Sequence, residues 1–144
     1  MTDLEELLIE RACERLIVDS ATHNDQRDWP ALAALYAEDG VVVRPNGQRL
    51  EGRAAIEAAY AAGPGARVTR HVCGNLRVHV DGPESAHATT VVVIVSGTRS
   101  DDPDVTFGIV PNEHHLVGEF ADRFTRTDAG WRIAERRASM VMNT

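Results

Sequence analysis

The chain has 144 residues, enough for a single domain spanning residues 1–144 and too few for two good cores. Its 43% hydrophobic and 26% charged residues are ordinary for a globular fold, and a formal net charge of −7 speaks against nucleic acid and anionic membranes as partners. Aromatic residues make up only 5%, so a pocket here is expected to be lined mainly by aliphatic side chains.

The first predicted element is a helix from Leu4 to about Asn24. Leu4, Leu7, Leu8, Cys13, Leu16 and Ile17 recur near a 3.6-residue period, and Asp3 with Glu6 reads as a capping box. The polar run from His23 to Arg27 ends that period. Asp28 reads as the N-cap of a second helix with Pro30 in its first turn, an apolar face of Leu32, Leu35 and Tyr36, and a stop at Asp39-Gly40. Val41 to Val43 form a short strand, Asn46-Gly47 a hairpin turn, and Arg49 to Glu51 the return. A third helix follows from Arg53 to about Ala61, closed by Gly63-Pro64-Gly65.

Beyond Arg67 the period changes to two. Val68 to Val80, Ala86 to Ser96, Glu113 to Arg126 and Trp131 to Met142 read as four long strands. Asp81-Gly82-Pro83 and Asp128-Ala129-Gly130 supply tight turns. Ser100 to Pro111 reads as a polar loop with Phe107, Ile109 and Val110 inside it, suited to a lid over a pocket mouth or equally to a disordered hairpin tip. Helices first and an antiparallel meander after them define an α+β fold, in which a long curved sheet wraps the helices and encloses a cavity.

Cys13 and Cys73 are read as two small buried hydrophobes rather than a disulfide framework. The acidic start lacks the basic-then-apolar pattern of a signal peptide, and no apolar run is long enough to span a bilayer, so a cytoplasmic location is expected. The six histidines and two cysteines show no metal-ligand spacing, and there is no glycine-rich phosphate loop or serine-nucleophile elbow. No metal, nucleotide or other cofactor is therefore expected.

Several local patterns then coincide: Asp25-Gln26-Arg27-Asp28-Trp29, Leu32-Ala33-Ala34-Leu35-Tyr36-Ala37-Glu38-Asp39-Gly40, Gly52-Arg53-Ala54-Ala55-Ile56, Arg70-His71-Val72-Cys73-Gly74-Asn75 and Asp128-Ala129-Gly130-Trp131-Arg132-Ile133. Across nearly the whole chain this set resembles the SnoaL-like branch of the NTF2-like superfamily. The Asp…Arg-His-x-x-x-Asn arrangement is similar to the subgroup holding scytalone dehydratase, bile-acid dehydratase and hexachlorocyclohexane dehydrochlorinase. The resemblance implies a cone with three N-terminal helices packed in a curved, mostly antiparallel sheet, and a deep pocket in its mouth. It also implies that Asp25 pairs with His71. One departure is clear: Asn24 stands where the scytalone dehydratase pattern has a tyrosine.

A carboxylate bonded to one imidazole nitrogen fixes the tautomer and leaves the other nitrogen free to take a proton from substrate. Asp25 and His71 are accordingly the candidate catalytic pair, and Asn75, Ser96 and His115 are candidate substrate contacts. Regular alternation would put Asn75 on the face of His71 and Cys73, and Leu76, Val78 and Val80 on the other. His23, two residues from Asp25, is a competitor for its carboxylate. Asp28 and Trp29 read as a cap and an anchoring aromatic. The function implied is a cofactor-independent lyase, of dehydratase or dehydrohalogenase type, or an isomerase, acting on a small apolar molecule. The alternative is a non-catalytic ligand-binding or assembly subunit resembling the small subunit of ring-hydroxylating dioxygenases. A second sheet face also favours a homo-oligomer, dimer or trimer.

Overall fold

The structure is a computed structural model that describes residues 1–144. Its elements are helix α1 (Asp3–Asp25), helix α2 (Trp29–Ala34), strands β1 (Tyr36–Val43) and β2 (Arg49–Glu51), helix α3 (Arg53–Ala61), and strands β3 (Arg67–Gly82), β4 (Ser85–Arg99), β5 (Ile109–Pro111), β6 (Leu116–Thr127) and β7 (Gly130–Asn143). The strands form one sheet in the order β2-β1-β7-β6-β4-β3, with β5 paired to β4. Every pairing is antiparallel except β1 with β7. The mixed α+β cone expected from the sequence is the architecture that forms.

The first helix starts one residue earlier than its sequence signal. Thr2 is the N-cap, and its reciprocal bonds with Glu5 make the capping box in place of Asp3 and Glu6. The helix buries Ile9, Cys13, Leu16, Ile17, Ser20 and Ala21 against the sheet. Leu4, Leu7 and Leu8, which share its apolar period, stay 59–65% exposed. No helix is long and apolar enough to cross a membrane.

The second helix ends at Ala34, short of the predicted stop at Asp39-Gly40. Asp28 does cap it, accepting a bond from the Ala31 amide at 3.2 Å. Tyr36 leaves the helix because it is recruited as a strand residue beside Ile133 of β7. The bulge between Tyr36 and Val41 brings the backbone close around Gly40, where a Cβ would lie 2.8 Å from the Ala37 carbonyl. Helical periodicity over three residues could not register that non-local pairing.

The third strand carries the largest departure from regular alternation. The β3–β4 register shifts between Gly74 and Arg77, and Asn75 adopts φ +48°, a left-handed conformation that asparagine tolerates better than most residues. The bulge resets the period of two. Cys73, Leu76, Val78 and Val80 therefore all pack on the main core with Ile17, Phe124 and Ile133, instead of dividing between two faces. Residues Ser100 to Pro111 do not form a lid. Their apolar end is captured as β5, which pairs Pro111, Val110 and Ile109 with Gly97, Thr98 and Arg99.

Candidate active site

The cone holds a cavity of about 550 Å³ between α1, α2, α3 and the inner sheet face. Thirteen of its 24 lining residues are hydrophobic, so it suits a molecule with a largely apolar body. Nine of the thirteen are aliphatic, as expected, and the other four are aromatic. Trp29, Tyr36, Tyr60 and Phe120 all line the cavity, which concentrates there four of the few aromatics in the chain. Trp29 stacks on Tyr60 with ring centroids 6.1 Å apart, so it is a wall of the cavity as well as an anchor.

His71 reaches this cavity from β3, and Asp25, the last residue of α1, stands behind it. Asp25 Oδ1 lies 2.6 Å from His71 Nδ1 and accepts from Thr69 Oγ1 at 3.0 Å; Asp25 Oδ2 accepts from the His71 backbone amide at 2.9 Å. The two side chains are only 10% and 13% exposed. A carboxylate at the C-terminal end of a helix meets the negative end of its dipole, so Asp25 depends on these three donors. Because an ionised carboxylate only accepts, His71 carries its proton on Nδ1 and leaves Nε2 with a free lone pair. His23 does not compete: its Nδ1 is buried without a partner.

The candidate substrate contacts are elsewhere. Asn75 is exposed at the β3 bulge, outside the cavity lining. Ser96 Oγ accepts from Asn112 Nδ2 at 2.7 Å on the β4–β5 side, and it too does not line the cavity. His115 precedes β6, with its amide bonded to Thr144 Oγ1 and its Nδ1 buried without a partner; the neighbouring Leu116 is the lining residue.

In their place the structure supplies Arg136, which the sequence reading passed over. Its Nε and Nη2 each donate to Asp122 at 2.7 Å, its Nη1 donates to Ser20 Oγ at 2.8 Å, and its Cζ sits 4.1 Å from the centre of the Phe120 ring. Asp122 and Arg136 are direct cross-strand partners on β6 and β7. Burial opposes the guanidinium charge, but the Asp122 carboxylate outweighs it and holds Arg136 firmly protonated. The signal that could have found this pair is parity: Asp122 lies two residues from both Phe120 and Phe124, so it must point inward with them.

Burial also pushes the phenols of Tyr36 and Tyr60 up, Arg136 offsetting part of the effect, so both remain hydrogen-bond donors across the neutral range. The thiol of Cys13 is pushed up to about 12 by burial and then by the nearby Asp122 and Glu14 charges, and that of Cys73 is also raised by burial. Both are free and chemically quiet. No group of three or more His, Cys, Asp or Glu side chains converges as a metal site.

A curved sheet closed over three helices, with a cavity that His71 lines and Asp25 backs, defines an NTF2-like cone. The chain belongs to the SnoaL-like domain family, whose profile matches residues 5–137. Among solved structures it is similar to a provisionally assigned scytalone dehydratase from Novosphingobium aromaticivorans, at 25% identity, covering 99% of this chain and 91% of that one with a TM-score of 0.82. It is similar in fold to a type-3 hexachlorocyclohexane dehydrochlorinase from Novosphingobium barchaimii, at 16% identity, 99% and 93% coverage and a TM-score of 0.83. A provisionally assigned aromatic ring hydroxylase from N. aromaticivorans shares the fold at 18% identity, 100% and 95% coverage and a TM-score of 0.74. No curated protein matched the sequence.

Proposed function

We propose that this protein removes a proton from carbon in a small molecule with a largely apolar body, with His71 as general base and Asp25 as the residue that orients it. The outcome is elimination, hence a lyase, or a proton shift within one molecule, hence an isomerase. The observation that carries this reading is the 2.6 Å contact from Asp25 Oδ1 to His71 Nδ1, which leaves Nε2 free on a ring that lines a cavity of about 550 Å³.

In an elimination, Nε2 takes the proton, the C–H electron pair becomes the new double bond, and the leaving group departs with its own bonding pair. The Tyr36 and Tyr60 hydroxyls, beside the Arg136 guanidinium that Asp122 and Ser20 hold in place, give the cavity wall the donating character that a departing anion needs. Asn24 lines this wall in place of the tyrosine of the dehydratase pattern, so the phenol donors here are Tyr36 and Tyr60. In an isomerisation, Nε2 returns the same proton to a different carbon. The likeness to the scytalone dehydratase structure supports a lyase; the dehydrochlorinase and hydroxylase likenesses support the fold.

The test is an activity screen over hydroxylated polyketides, steroids and halogenated rings with the native chain, His71→Ala and Asp25→Asn. His71→Ala is expected to lower turnover by about 10²–10⁴-fold, the range of general-base catalysis, and Asp25→Asn to lower it at unchanged substrate affinity. Turnover indifferent to both changes overturns the mechanism. Ligand binding without turnover in the native chain favours the non-catalytic subunit instead.

A further inference from the structure

We infer that the molecule taken up by the cavity is an oxyanion, a carboxylate or a phosphate ester, whose charged end rests on an arginine cleft beside the cavity mouth. This rests on the cavity being the substrate site and names the class of substrate it takes.

The cleft, about 460 Å³, lies where the end of α1 meets the start of β3, and Arg27, Arg67, Arg70 and Arg99 are half of its eight lining residues. The chain has 22 acidic residues against 15 basic ones, so carboxylates are plentiful. Yet none of these four guanidiniums makes an ion pair; the pairs of the molecule involve Arg11, Arg49, Arg123, Arg136 and Arg137, with two histidines. Asp25 is the one acid in the cleft wall, and both of its oxygens are already taken by Thr69 and His71. Arg27 Nη1 donates to the Pro64 carbonyl at 3.1 Å and Arg70 Nη1 to the Thr69 carbonyl at 2.7 Å. Those bonds fix the groups without neutralising them. Against four guanidiniums the cleft wall holds a single carboxylate, Asp25, so a net positive charge remains; these like charges repel each other, and an incoming anion lowers that cost.

The backbone at Arg27 supports the same reading. The Arg27 and Asp28 amides close the end of α1 onto the Asn24 and His23 carbonyls, a helix ending that normally places glycine at the left-handed position. Arg27 holds φ +57° there, a left-handed conformation that a side-chain-bearing residue seldom adopts. That conformation sets its guanidinium between cleft and cavity, over the Trp29 ring at 5.2 Å. Arg27 and Arg67 line both spaces, so the cleft adjoins the cavity. A ligand with its apolar body against Tyr60, Leu32 and Phe120 presents its far end to these two residues. The guanidinium fork matches carboxylate and phosphate oxygens in pairs. Because β3 is an edge of the sheet, the cleft opens to solvent, where its field draws in anions.

Two fluorescent probes test this: 1-anilinonaphthalene-8-sulfonate and N-phenyl-1-naphthylamine, which share a body and differ by the anionic group. The anionic dye is expected to bind at least about tenfold more tightly, to weaken as salt is added, and to be displaced by the neutral one. In an Arg70→Gln/Arg99→Gln double variant, which changes two residues of the cleft that do not line the cavity, the preference should vanish while the neutral dye binds as before. Competition by inorganic pyrophosphate but not by acetate assigns the cleft to a phosphate ester; the reverse assigns it to a carboxylate. Equal affinity for the two dyes, an anionic dye that the neutral one cannot displace, or a preference that survives the double variant overturns the inference. If the dyes fail this test while His71→Ala still abolishes turnover, the anion class alone is wrong. If the anionic dye wins while turnover ignores His71, the catalytic reading alone is wrong.

Discussion

His71 differs from the other five histidines in what holds it and what it faces. His79 and His87 stack on one another at 5.1 Å on the exposed side of the sheet, and His87 pairs with Asp81 in water. His114 is exposed, and His23 and His115 each bury a ring nitrogen with no partner. Of the six, His71 is the one that joins a sequestered carboxylate to a cavity wall. At this scale the sequence was legible where a residue's placement follows from a motif. Asp25 and His71, 46 positions apart, were placed together by the Asp…Arg-His pattern, and the structure brings them into contact. It was not legible for Asn75, whose assignment to the pocket assumed unbroken alternation. A bulge is a property of the pairing between two strands, and its only local trace is an asparagine that tolerates positive φ.

At the scale of elements, β6 and β7 are joined on the inner face by the Asp122–Arg136 pair, which also ties the sheet to α1 through Ser20. Side-chain exposure of 0% for Asp122 and 6% for Arg136 leaves each charge dependent mainly on the other. Such a pair adds little net stability over an apolar replacement, but breaking one side strands a buried charge. Asp122→Ala is therefore expected to destabilise the fold by about 3–5 kcal/mol, measured as a shift in the urea midpoint. A loss below about 1 kcal/mol would mean that Arg136 finds another partner. The elements themselves were largely readable. The four long strands and α3 were found with bounds within a few residues, because long alternating runs and glycine-marked ends are local signals. The α2–β1 boundary and β5 were missed because both are decided by partner strands distant in the chain.

At the scale of the whole molecule, the outer sheet face carries an apolar row. Val72 of β3 pairs with Val93 of β4, Val93 with Val117 of β6, and Val117 with Met142 of β7, so the four share one face. Val72 and Met142 are 61% and 58% exposed. A contiguous row of this kind with no charge in it suits burial against a second copy of the chain. Sedimentation of the native protein is expected to give a homo-oligomer, and Val93→Glu a folded monomer. A native monomer would leave the row without that purpose. The α+β cone was legible in the sequence as a whole because the order of helices and strands limits the topologies. The arginine cleft was not, since Arg27, Arg67, Arg70 and Arg99 become neighbours only when the end of α1 reaches the edge of the sheet.

The account depends most on how one imidazole is protonated, and long-range proton–nitrogen NMR of the histidine side chains reads that directly. The expected spectrum at pH 8 places the His71 proton on Nδ1, with a bare Nε2, and loses this fixed tautomer in Asp25→Asn. A proton on Nε2 in the native protein, with Nδ1 bare against a carboxylate 2.6 Å away, would contradict it.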